Sequence, residues 1–247
     1  MRTSNPALGD NTFTGFGRVA REEQMTIQGT VNKSLLLVLC VLITAVWTWN
    51  IFYRTMNPQA VVPLLVIGAI GGLIVALVTV FKATWAPVTA PLYALLEGLV
   101  IGGISSVAEA QFPGIVIQAV GLTFGTCLAL LLAYKSRMIR VTENFRLGVV
   151  AATGGIALFY LFTILLGFFG VRIPLIYQSG PVGIIFSLIV VVIAALNLVL
   201  DFDFIEQGAA AGAPRFMEWY AAFGLMVTLI WLYIEILNLL IKLRSRD

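Results

Sequence analysis

Histidine is absent from all 247 residues. Its absence removes histidine metal sites, histidine general bases and the serine–histidine dyads of intramembrane proteases. Gly102-Gly103-Ile104-Ser105 is therefore not a protease motif. Cysteine occurs only as Cys40 and Cys127, both inside apolar runs. A disulfide would need their backbones within about 7 Å, and core thiols are the expected reading. Charged residues make up 11% of the chain, against about a quarter in a soluble domain. No lysine lies in the middle of the last apolar run, since Lys242 is at its end, which excludes a retinal protein. No nucleophile and base constellation is visible. Neither an internal repeat nor paired broken helices point to a transporter. No enzymatic activity, cofactor or nucleic-acid partner is expected.

What fills the chain is apolar. Hydrophobic residues reach 60% and the mean hydropathy is +1.00, the composition of a polytopic helical membrane protein in contact with the lipid bilayer. Apolar runs bounded by charge, proline or glycine predict spans over 34–52, 61–81, 86–107, 114–134, 147–169, 181–200 and 219–243. Residues 1–33 read as a polar cytoplasmic tail without a small-residue cleavage site, and 34–247 as one membrane domain.

Lysine and arginine set the expected orientation. With the N-terminus inside, the inner side holds Arg2, Arg18, Arg21, Lys33, Lys82, Lys135, Arg137, Arg140, Arg146 and Arg215, and the outer loops hold Arg54 and Arg172. An odd number of spans puts Lys242, Arg244 and Arg246 outside, against the rule. Either the tail comes too late to matter, or the last segment re-enters and the tail is inside.

Gly68 with Gly71 and Gly72, Gly98 with Gly102, and Gly121 with Gly125 recur at helical spacing. Small residues let helix backbones approach closely in lipid, so these predict tight helix packing. Four acids remain as functional candidates, because charge is expensive in a membrane: Glu97 in span three, Asp201 and Asp203 at the end of span six, and Glu235 in span seven. Glu97 also reads as a structural acid bonded to a neighbouring helix. Asp203 and Glu206 read as the wet end of span six, with Asp201 one turn deeper behind Asn197. Glu235 lies about fifteen residues past Tyr220, or ~22 Å along a straight helix, too deep to meet Asp201. The two acids pair only if residues 215–223 run along the interface and the span starts near Gly224.

Leu200-Asp201-Phe202-Asp203-Phe204-Ile205-Glu206 and Leu232-Tyr233-Ile234-Glu235-Ile236-Leu237-Asn238-Leu239-Leu240 resemble the two signature segments of the Bax inhibitor family. Ser4-Asn5-Pro6, residues 91–98 and Ser179-Gly180-Pro181-Val182-Gly183 resemble a bacterial branch of it. The resemblance implies seven helices with the last one central, in a bacterial cytoplasmic membrane. It also implies a pH-sensitive carboxylate pair governing calcium leak. The pair carries onto Asp201 and Glu235, with Asp203 in the next polar slot and Lys82 as a loosely matched cationic latch. Glu235 stands where the family has aspartate, and the loop between the motifs is longer than in short bacterial members.

The implied mechanism is a shared proton. Two carboxyls in one site do not both ionise cheaply, so losing the proton drives helices six and seven apart. Calcium wants several oxygen ligands, which Asp201, Asp203 and Glu235 would supply as a weak, transient site. Structurally, Asp201 also reads as a helix-end cap and Glu235 as an interhelical hydrogen-bonder. The other functional reading is a non-catalytic regulator that binds a membrane protease or quality-control complex, for which the N-terminal segment with Phe13, Phe16 and Met25 is a faint candidate.

Overall fold

The computed structural model describes residues 23–169 and 179–245. Arg2, Arg18, Arg21, Arg172, Arg246, Phe13, Phe16 and Ser4-Asn5-Pro6 lie outside the described residues. The protein is all-α, and among the described residues seven helices are long and apolar enough to cross a membrane. These are α1 (Ile27–Thr55), α2 (Val62–Phe81), α3 (Ala86–Gln111), α4 (Ile115–Lys135), α5 (Glu143–Phe168), α6 (Pro181–Ala210) and α7 (Met217–Arg244). The end of the bundle at which α1 begins is called proximal here, and the opposite end distal.

The helices run past the apolar runs where local chemistry supports them. α1 starts seven residues before the predicted edge, because the Thr26 hydroxyl accepts from the Gly29 amide at 2.9 Å and caps it. Gln28 and Asn32 then bond one turn apart. Thr142 caps α5 the same way, accepting from the Phe145 amide. Proline is tolerated in a first turn, where its missing N–H has no partner to lose, and Pro63 and Pro181 begin α2 and α6. At the distal α3–α4 turn the Glu109 carboxylate accepts from the amides of Gly114 and Val116 at 2.6 and 3.0 Å. Gly114 supplies the left-handed backbone there, with φ 82°.

α7 is the central helix. It packs against α1, α3, α4 and α6, and both apolar core clusters are built on it. α2 packs mainly on α3, and α5 on α6. The α1–α3 and α2–α3 contacts rest on glycine: a Cβ on Gly102 would stand 2.3 Å from the Ala45 carbonyl, and one on Gly68 2.6 Å from the Leu96 carbonyl. Gly121 and Gly125 correct the expectation, since among the described residues no neighbouring helix comes within 4 Å of a Cβ on either. Cys40 and Cys127 are free, half-buried thiols.

α7 is one uninterrupted helix from Met217 to Arg244, about 42 Å long. It neither re-enters nor breaks at Gly224. α6 likewise continues to Ala210, ten residues past the predicted edge at 200, and a tight turn at Gly212, φ 65°, leads into α7. A short antiparallel clasp closes this turn. Met25 donates to the Ala213 carbonyl at 2.6 Å and Arg215 to the Glu23 carbonyl at 2.7 Å.

Candidate functional site

The acids of α6 and α7 occupy separate levels of the bundle. Asp203 is the most proximal of the expected three. Arg146 of α5 donates to its Oδ2 at 2.8 Å, Gln207 donates to the same oxygen at 2.6 Å, and the Tyr134 hydroxyl lies 3.4 Å from Oδ1. Arg146 is only 5% exposed, so this is an enclosed ion pair. Tyr134 also donates to Glu206. The expected wet helix end is in fact tied to α4 and α5.

Asp201 lies deeper and is 2% exposed. Two residues from Asp203, it points to another face of α6, towards α4 and α7. Thr228 of α7 is the polar group facing it, and the Cys127 thiol of α4 stands close enough to sense its charge. Among the described residues its Oδ2 has no hydrogen-bond partner. One turn further along α6, Asn197 donates to the Thr153 hydroxyl of α5 at 2.8 Å.

Glu235, 5% exposed, is held elsewhere. Its Oε1 accepts from the Tyr160 hydroxyl of α5 at 3.0 Å and from the Trp231 indole at 3.3 Å. Lys242, two turns further along α7, is the cation that reaches it electrostatically while donating to the Ser187 hydroxyl of α6 at 2.8 Å. The expected Asp201–Glu235 pair is therefore not formed. Asp201 faces Thr228, and Glu235 sits seven residues past Thr228, about 10 Å along the axis. The cause is the straight α7: pairing required its first turns to lie along the interface, and they enter the bundle directly.

Two further expectations are corrected. Among the described residues no three acidic or thiol groups gather to hold a metal ion, so Asp201, Asp203 and Glu235 do not form a shared calcium site. Lys82 is exposed and stacks on the Trp85 ring at 4.5 Å. The cation that does meet a helix-six acid is Arg146, on Asp203. Glu97 is half-buried in α3, with Tyr93 one turn before it and its carboxyl against Gly72 of α2.

Sequence reading missed a fifth acid. Glu218, in the first turn of α7, accepts from the Thr26 amide and hydroxyl at 2.9 and 2.8 Å and pairs with Lys33, whose ammonium also lies 5.5 Å from the Trp219 ring. Its signal was available: an acid in the first turn of a helix is favoured by the helix dipole. Arg146 and Tyr160 carried weaker signals, an arginine taken for a loop charge and a hydroxyl inside an apolar run.

A sequence model described as Bax inhibitor 1 like matches residues 5–245, nearly the whole chain. No curated protein and no solved structure matches it.

Proposed function

The chain belongs to the Bax inhibitor 1 like family, and from that premise we propose that it is a non-enzymatic, pH-sensitive calcium leak of its membrane. The acids of α6 and α7 act in it one after another instead of as a pair. The observation that carries this reading is Asp201, enclosed between α4, α6 and α7 with one carboxyl oxygen unpartnered. Among the described residues a charge there meets neither a counter-charge nor a second donor, and such a charge is costly to keep. Charging Asp201 must therefore be answered by water or a cation, and either needs α6 and α7 to part. Regaining the proton lets the helices close, a two-state packing event biased by local charge.

Separate levels suit permeation. A site with many oxygens would hold calcium, whereas conduction needs binding weak enough for the ion to leave. Asp203, Asp201 and Glu235 offer single carboxylates at successive levels of the bundle. Arg146 on Asp203 acts as the cationic latch at the proximal mouth, the role expected of Lys82.

The test is calcium flux into proteoliposomes carrying an entrapped dye, measured across pH. Asp201→Asn removes the pH dependence, while Glu235→Gln lowers flux without moving the midpoint. The two effects add, because the residues do not share a proton. A pH profile unchanged in folded Asp201→Asn sinks the gating role. Absence of flux at every pH favours the regulator of a membrane protease complex instead.

A further inference from the structure

We propose that the crevice between α1 and α4 is a binding site for one acyl chain of a phospholipid in the distal leaflet. The crevice has a volume of about 250 Å³. Leu42 and Val46 of α1 form one wall and Val120 and Phe124 of α4 the other, over a floor of Ile101 from α3 and Leu229 from α7. Its polar floor groups are already satisfied: the Ser105 and Tyr233 hydroxyls bond each other at 2.6 Å. An apolar cavity of this kind stays free of water, and the floor asks a ligand for no hydrogen bond.

Three observations identify the occupant. First, the rims are continuous with the lipid-facing surface: Leu42, Val46 and Phe124 are 51%, 56% and 45% exposed. Second, the lining on α1 runs from Val38 to Trp49, about 17 Å along the helix, close to the ~15 Å of hydrocarbon in one leaflet. Third, at its distal end Trp49 stacks on Tyr53 with ring centres 5.2 Å apart, the amphipathic aromatic belt found at the headgroup level. Depth, length and mouth thus fit a chain entering sideways from the bilayer. Because hydrocarbon leaves lipid for the crevice without a hydrophobic gain, the selectivity is one of shape, and the expected enrichment is several-fold. The inference does not depend on ion conduction.

The full-length chain is placed in bilayer nanodiscs containing a phospholipid with a diazirine on one acyl chain, and the photolabel is mapped by peptide mass spectrometry. Label concentrates on residues 38–49 and 116–124, several-fold above the exposed face of α2 at Leu73 and Leu77. Val120→Trp, which fills the crevice, lowers that label to the level of α2 while melting like the parent. Val46→Phe at the rim does the same and decides the matter if Val120→Trp does not fold. Label spread evenly over α1, α2 and α4, or unchanged in a folded filling variant, overturns the proposal. So does labelling by a diazirine free fatty acid without labelling by the phospholipid. Cross-links between two copies through a photoreactive residue at position 42 also overturn it, since they make the crevice a contact between chains.

Discussion

Glu218 and Asp201 are both 2% exposed, yet their surroundings are opposite. Glu218 has Lys33, the Thr26 amide and the Thr26 hydroxyl, so its charge is compensated and its role is to tie α1 to α7. Asp201 has no ion pair among the described residues, one bare oxygen and a threonine. Removing one partner of an enclosed pair leaves the other uncompensated and costs about 3 kcal/mol. Lys33→Met is therefore expected to destabilise the protein by that order. Lys33→Met combined with Glu218→Gln should recover part of the loss, because the double change strands no charge. A double-mutant cycle in detergent unfolding measures the coupling. Strictly additive losses mean that the contact does not hold the helices together.

At the scale of helices, the glycines of α3 decide how close α1 can come. Gly102→Ala places a methyl against the Ala45 backbone and is expected to cost about 2 kcal/mol by overpacking. Gly121→Ala meets nothing and gains up to about 1 kcal/mol of helix propensity. Opposite shifts in thermal unfolding are the expected result, and equal ones refute the packing role. This pair also marks what was legible in the sequence. All seven spans were, because an apolar run of about 20 residues has few other uses. The glycine spacing told that faces were small, without telling which faces meet a neighbour. The acids were legible as candidates by their cost in lipid, but their partners were not. Arg146, Tyr160 and Thr228 are brought to Asp203, Glu235 and Asp201 by helices distant in sequence. The apparent pair failed for an element-scale reason: Thr26, Lys33 and the clasp at residues 213–215 fix the first turn of α7 inside the bundle. Glu235 is thereby carried two turns past the level of Asp201.

For the molecule as a whole, the seven described helices long and apolar enough to cross a membrane are expected to put Thr26 and Ser245 on opposite faces of it. Among the described residues Lys33, Lys82, Lys135, Arg137, Arg140, Arg146 and Arg215 lie towards the proximal side, against Arg54 in the distal last turn of α1, so that side is expected to face the cytoplasm. The basic C-terminal end runs against this rule, and the structure offers a reason why it is tolerated. Lys242 donates to the Ser187 hydroxyl and the Gly183 carbonyl, and Arg244 donates to the Pro113 carbonyl at 2.9 Å. Both cations are thus spent on fastening α7 to α6 and to the α3–α4 turn. Their insertion also comes last, after six spans have been oriented. Single cysteines in a background lacking Cys40 and Cys127 test the arrangement with a membrane-impermeant thiol reagent on intact cells. Positions 10 and 138 are expected to be protected, and positions 57 and 245 labelled. Labelling at 10 and 138 with protection at 57 reverses the orientation. Protection at 245 together with 138 is the more damaging outcome, because it requires an even number of crossings and contradicts the unbroken α7 on which the separation of Asp201 from Glu235 depends.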